Sequence, residues 1–201
     1  GKDRSISGQL TALMAIVFAT GGSRAMVWPM LMIFLQDRLS TDVGVLAMAY
    51  LPAALISSFL PSRMGKVTDR LGRRGPMVVG LLIGALASAL IPHLAGLIYL
   101  ATLWAVESLG NTVSVPAERA FVADIAGASV RGTSYGLYTF AHFLGAAVGP
   151  VAGGWLYENV GHAAPFTLNA AALMVGAFLV WAVLREPRRG VVEQLTAGSD
   201  I

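Results

Sequence analysis

Two stretches of the chain, 43–62 and 75–106, contain no Asp, Glu, Lys or Arg, and residues 63–74 between them (RMGKVTDRLGRR) carry five Lys or Arg, one Asp and two Gly. Each stretch is long enough to cross a hydrocarbon core, which takes about 20 residues. Apolar runs broken by charge or turn residues predict six spans, at 9–36, 43–62, 76–92, 97–122, 133–157 and 163–184. A polar segment 1–8 precedes them and a polar tail 185–201 follows. The runs lack the alternation of barrel strands, and every backbone amide in lipid must be satisfied internally, so the spans are read as helices. The expected fold is an all-α membrane protein, a bundle of six transmembrane helices.

Composition agrees with a bilayer as solvent: 56% of residues are hydrophobic and 12% charged, where a soluble domain carries about 25% charged residues. A pI near 9.6 and a formal charge of +3 raise the question of nucleic acid. The basic residues sit in short connections beside apolar spans and form no continuous patch, which excludes that partner. The positive-inside rule explains them instead. With the N-terminus inside, Lys2, Arg4, Arg63, Lys66, Arg70, Arg73, Arg74, Arg131, Arg185, Arg188 and Arg189 fall on the inner side, and Arg38 alone in the outer connections. Both termini are then cytoplasmic, in a plasma (inner) membrane. The chain has no cysteine, and no HExxH helix, phosphate-cradling glycine loop or nucleophile elbow. Neither an enzyme nor a metal site is expected.

The spans divide into two triplets, and because three is odd the second enters inverted, a recurring way to build an alternately opening transporter. Three elements then become recognisable. Residues 65–74 (GKVTDRLGRR) resemble the signature that the major facilitator superfamily places between the second and third helices of a six-helix half. GAAVGPVAGG at 145–154 is similar to the glycine pattern that exporters of this superfamily carry on the fifth helix. Asp124, Arg131-Gly132 and Gly136 match the connection entering that helix. The resemblance implies one half of a transporter built as a 3+3 inverted repeat. Its missing partner is a second six-helix half, supplied by the same transporter or by a homodimer. The absence of an initiator Met and the short tail favour the C-terminal half.

Gly65 and Gly72 are expected to let the backbone turn tightly on either side of the basic segment. Asp69, with Arg70, Arg73 and Arg74, forms the gate motif, and the resemblance implies that the acidic residue locks two halves together when the inner side is shut. Asp124 and Arg131 are candidate partners for the arginines. Glu118 and Arg119 follow Pro116 in a span that exceeds the bilayer core, so they are read as inner-interface gate residues. Gly145, Gly149 and Gly153 recur every four residues and form a stripe that lets another helix approach, with Gly154 in the same motif and Pro150 able to bend the helix there.

Charges inside the spans carry the expected chemistry, because each costs at least ~2.5 kcal/mol at the membrane centre unless it meets a partner or water. Arg24 and Glu107 both fall near mid-membrane and can pair; protonation of Glu107 would release Arg24 and couple proton movement to a change of state. Asn111 shares the face of Glu107 and can hydrogen-bond substrate. Ser114 continues that face, and His142 can carry protons. The four tryptophans are read as interfacial or packing residues. The function implied is proton-coupled efflux of a small lipophilic molecule, with the proton as coupling ion and no cofactor. Uptake of a sugar or metabolite, or a non-transporting membrane subunit, are the alternatives.

Overall fold

The computed structural model describes residues 2–39 and 41–185, with backbone alone at 2–7, 66, 67, 69, 70 and 127–131. Its elements are α1 (Lys2–Arg38), α2 (Val43–Phe59), α3 (Pro61–Leu71), α4 (Arg74–Leu90), a 3-10 turn (Ile91–His93), α5 (Leu97–Asn159) and α6 (Ala164–Val183). Among the described residues there is no strand. Gly8–Arg38, Arg74–His93 and Ala164–Val183 are each long and apolar enough to cross a membrane, and Val43–Phe59 is a shorter apolar helix. Helix α1 begins at Lys2, so the segment expected to be a polar lead-in is helical; residues 186–201 of the expected tail, with Arg188 and Arg189, lie outside the described residues.

Local chemistry sets the boundaries. The Asp42 carboxylate caps α2, accepting from the Val45 N–H at 3.1 Å, which satisfies one of the orphan donors of a helix start. Pro61 opens α3, a position where its missing N–H costs nothing. The basic segment is therefore largely a short helix, not a loop. Gly65 lies inside α3 and makes no turn, which corrects the expectation for it. Gly72 caps the helix with φ of 92°, a conformation available to glycine without a Cβ clash.

The connection expected between the fourth and fifth spans is also helical, since α5 runs unbroken for 63 residues. It is not straight. The Tyr138 hydroxyl lies 3.4 Å from the Glu118 carboxylate, 20 residues earlier, whereas 20 residues of straight helix cover about 30 Å. The two arms, 97–122 and 133–157, fold back on each other through a helical bend.

Two hydrophobic clusters hold the bundle. One, toward the end that carries the basic segment, gathers Leu13, Val17, Met77, Leu81, Phe121 and Leu173. The other gathers Val27, Phe34, Leu46, Ile91, Trp104 and Phe166. Between the two clusters lie buried or nearly buried polar side chains: Thr20, Ser23 and Arg24 on α1, Ser88 on α4, Glu107, Thr112 and Ser114 on α5, and Asn169 on α6. The bundle thus has a polar waist. Ser88 donates to the Phe166 carbonyl and accepts from Asn169, both at 3.0 Å, pinning α4 to α6.

Candidate functional site

A cavity of about 430 Å³ opens between α1 and the two arms of α5, and every residue lining it belongs to those two helices. Its polar residues are Thr20, Arg24, Glu107, Asn111, Glu118 and His142; Val17, Ala25, Trp28, Pro29, Val115, Ala146 and Pro150 supply most of the apolar wall. The structure brings Arg24 and Glu107 together as expected from their depth. Arg24 Nε lies 3.7 Å from Glu107 Oε1, with both side chains nearly buried. That separation is an ion pair without a hydrogen bond, and neither atom has another hydrogen-bond partner. The Nη2 of the same guanidinium donates to Ser114 Oγ at 3.2 Å. Gly84 of α4 lies beside the pair: a Cβ there would stand at ordinary contact distance, 3.6 Å from Arg24 Nη2 and 3.9 Å from Glu107 Oε1.

Ser114, expected on the path, is wholly buried beside Arg24, whose guanidinium it accepts a hydrogen bond from, and is not among the residues lining this cavity. Asn111 is exposed in the wall one turn beyond Glu107. His142 lies against Gly21 of α1, where a Cβ would come within 3.2 Å of His142 Nδ1, and its ring stacks on Tyr138 at 6.4 Å between centroids.

Glu118 departs furthest from the sequence reading. It is 4% exposed and lines the cavity, with Tyr138 donating to it, and it takes no part in the charge pair at the basic end. The reason is angular: eleven residues are just over three full turns, so Glu118 returns to the face of Glu107. Distance along the helix had placed it at the interface. Its neighbour Arg119 is exposed. Sequence reading also missed an aromatic group. Trp28 lines the cavity and meets Tyr50 and Trp104, each at 6.3 Å between centroids, although its outward exposure of 64% suits a surface residue. An Arg and a Trp four residues apart on one helix was the available signal.

At the basic end Arg73 Nε donates to Asp124 Oδ2 at 2.8 Å, tying the start of α4 to α5. Arg74 donates to the Trp181 carbonyl and lies over its ring at 5.9 Å, tying the same point to α6. The side chains of Asp69, Arg70 and Arg131 lie outside the described residues.

The glycine stripe packs on α1. A Cβ at Gly145 would stand 2.6 Å from the Phe18 carbonyl oxygen, one at Gly149 would collide with the Gly22 carbonyl, and one at Gly153 would meet Met26 Cγ at 2.5 Å. Gly154 has open space around it and takes no part. Pro150 faces the cavity. The same device, unread in the sequence, joins α4 to α5: Gly80 and Gly110 each approach the other's carbonyl so closely that a Cβ would stand 2.5 Å away. Gly80 and Gly84 form the small-xxx-small spacing that permits such contacts.

Comparison with known proteins agrees with this architecture. The model of the Major Facilitator Superfamily matches residues 13–199. The chain is 29% identical over 189 residues to the uncharacterized MFS-type transporter YhjO of Bacillus subtilis, covering 91% of this chain and 46% of the relative. It is 27% identical over 170 residues to the multidrug transporter protein MdtP of the same organism, covering 85% and 28%. It is 26% identical over 155 residues to the multidrug resistance protein MdtH of Yersinia pestis, covering 77% and 39%. Among solved structures, an inward-facing bacterial homolog of the human lysosomal transporter Spinster superposes with a TM-score of 0.76 at 18% identity, over 94% of this chain and 45% of that one. A peptide transporter POT gives 0.70 at 19% identity, over 98% and 46%. The chain thus spans less than half the length of each of these relatives. With a cavity walled by α1 and α5, glycine-packed helices, a basic helical segment and a family match over nearly its whole length, this chain belongs to the Major Facilitator Superfamily of membrane transporters.

Proposed function

We propose that the chain is one half of a secondary active transporter that exports a small lipophilic molecule in exchange for inward-flowing protons. The observation that carries this reading is the cavity: among the described residues its mostly apolar wall comes from α1 and α5 alone and holds one slack ion pair at mid-bundle. In this reading α1, α2, α4, the two arms of α5, and α6 make six crossings, arranged as a 3+3 inverted repeat. The basic end is cytoplasmic, with both termini, in a plasma (inner) membrane. A second six-helix half, from the same transporter or a homodimer partner, closes the cavity. Asp69, Arg70 and Arg131 bear on that half or on headgroup phosphates at the inner face. The names of the relatives MdtP and MdtH support a drug-like cargo.

The pair has the geometry for coupling. At 3.7 Å without a hydrogen bond, Arg24 keeps its hydrogen bond to Ser114 when Glu107 is neutralised but loses its compensating charge, which favours a move of the guanidinium toward water or a new partner. Asn111, exposed one turn away, offers a hydrogen bond to the cargo, and Trp28 a flat apolar face. The test is reconstitution of the complete transporter in liposomes under an imposed proton gradient, with a panel of lipophilic dyes. Substrate-dependent proton flux is expected, and Glu107→Gln abolishes it. No such flux from the unaltered protein across the panel overturns the reading.

A further inference from the structure

Glu118 is a carboxylate inside an apolar cluster. Ala117 and Phe121, next to it and one turn on in the chain, and Tyr138, which bonds it, are buried members of the cluster nearer the basic end, whereas the other buried polar side chains on the same arm sit at the waist. Among the described residues Glu118 forms no ion pair, and its one hydrogen bond is the 3.4 Å contact from the neutral Tyr138 hydroxyl. Arg24 of α1, and Arg119, Tyr138 and His142 of α5, are the charged and titratable groups that face this corner. Arg119 stands beside the Tyr138 hydroxyl and is exposed. Glu107 lies about 16 Å farther along the same face, from the helical rise.

A structural role explains this placement poorly. A buried charge without a closely bonded partner is destabilising, and a Gln of the same shape would accept the Tyr138 hydrogen bond without that cost. The cost is avoided if the carboxyl is neutral while enclosed and ionises only when water reaches it. Its position supplies both sides of such a cycle: one edge touches the cavity, and the other reaches, through the Tyr138 hydroxyl, the exposed Arg119.

We propose that Glu118 is a second proton-carrying site, separate from the Arg24–Glu107 pair, passing protons between the cavity and the basic end of the bundle with Tyr138 as its positioning residue. The step is a proton transfer alone. A hydronium ion in the cavity gives its proton to a Glu118 carboxylate oxygen, leaving water and a neutral carboxyl. When the inner end opens, that O–H releases the proton to water there, and the carboxylate is restored beside Arg119. The site rests on the proton-coupled reading above, yet its test does not require the cargo to be known.

The test is pH-difference infrared spectroscopy of the complete transporter in lipid vesicles, following the C=O band of protonated carboxyls without substrate. Glu118→Gln is expected to remove one titrating component, Glu107→Gln to leave that component in place, and Tyr138→Phe to shift its midpoint without removing it. An unchanged carboxyl difference spectrum in Glu118→Gln overturns the proposal. Loss of the same component in Glu107→Gln overturns the claim that the sites are separate. A midpoint unmoved in Tyr138→Phe overturns the positioning role. Failure of the efflux reading looks different: the Glu118 component titrates, and the unaltered protein shows no substrate-driven proton flux.

Discussion

Arg24 faces Glu107 across 3.7 Å at the polar waist, yet its guanidinium hydrogen-bonds Ser114 and not the carboxylate. The two charges neutralise each other without being locked. Removing one partner of a buried pair leaves the other uncompensated, at a cost of about 3–5 kcal/mol. Arg24→Gln is therefore expected to lower the thermal unfolding midpoint strongly, and Arg24→Gln combined with Glu107→Gln to recover most of the loss. Unfolding of the detergent-solubilised protein checks this. A double variant no more stable than the single one would show that charge compensation is not what the pair provides.

The contact between α1 and the second arm of α5 depends on the absence of Cβ atoms. A methyl at position 149 meets the backbone carbonyl of Gly22, which cannot yield as a side chain can, whereas one at 154 meets nothing. Overpacking of this kind costs about 1–3 kcal/mol. Gly149→Ala should lower thermal stability by that order, while Gly154→Ala should not lower it and gains up to about 1 kcal/mol of helix propensity. Equal effects at the two positions would contradict the packing.

Where a residue's depth or period is absolute, the sequence makes it legible. The charge-free runs and the basic segment between them stand out because a bilayer tolerates few charges in its core, and the four-residue glycine period reads directly as one helix face. Arg24 and Glu107 follow from depth alone. What depth cannot give is angle and contact. Glu118 looked interfacial by distance, yet it shares the face of Glu107; Ser114 shares that face too, but α4 covers it, since a Cβ at Gly80 would lie 2.9 Å from Ser114 Cβ. The helical course of residues 61–71 was masked by two glycines, of which Gly72 alone ends a helix. The bend within α5 leaves no break in its helical signal to read.

Arg73 and Asp124 bond at 2.8 Å with side chains 19% and 38% exposed. Solvent screening limits such a pair to about 1 kcal/mol or less. A double-mutant cycle with Arg73→Gln and Asp124→Asn should give a coupling energy in that range, and it should shrink as salt rises. A coupling of several kcal/mol, unaffected by salt, would place the pair in a drier setting than the structure shows.

Gly80 and Gly84 of α4 offer a finer discrimination, because they differ in what their missing Cβ atoms would meet. At Gly80 the nearest atom is the Gly110 carbonyl oxygen at 2.5 Å, part of a rigid helix; at Gly84 it is Leu173 Cδ1 at 3.1 Å, the far end of a side chain that can rotate. Gly80→Ala must push two helix backbones apart, while Gly84→Ala asks a leucine to move by a few tenths of an ångström. The added methyl also contributes helix propensity worth about 1 kcal/mol relative to glycine, which offsets the smaller strain but not the larger. Gly80→Ala is thus expected to lower the unfolding midpoint clearly, and Gly84→Ala to leave it near its starting value. The reverse order, measured side by side in the same lipid or detergent, would mean that α4 and α5 do not approach through Gly80 and Gly110.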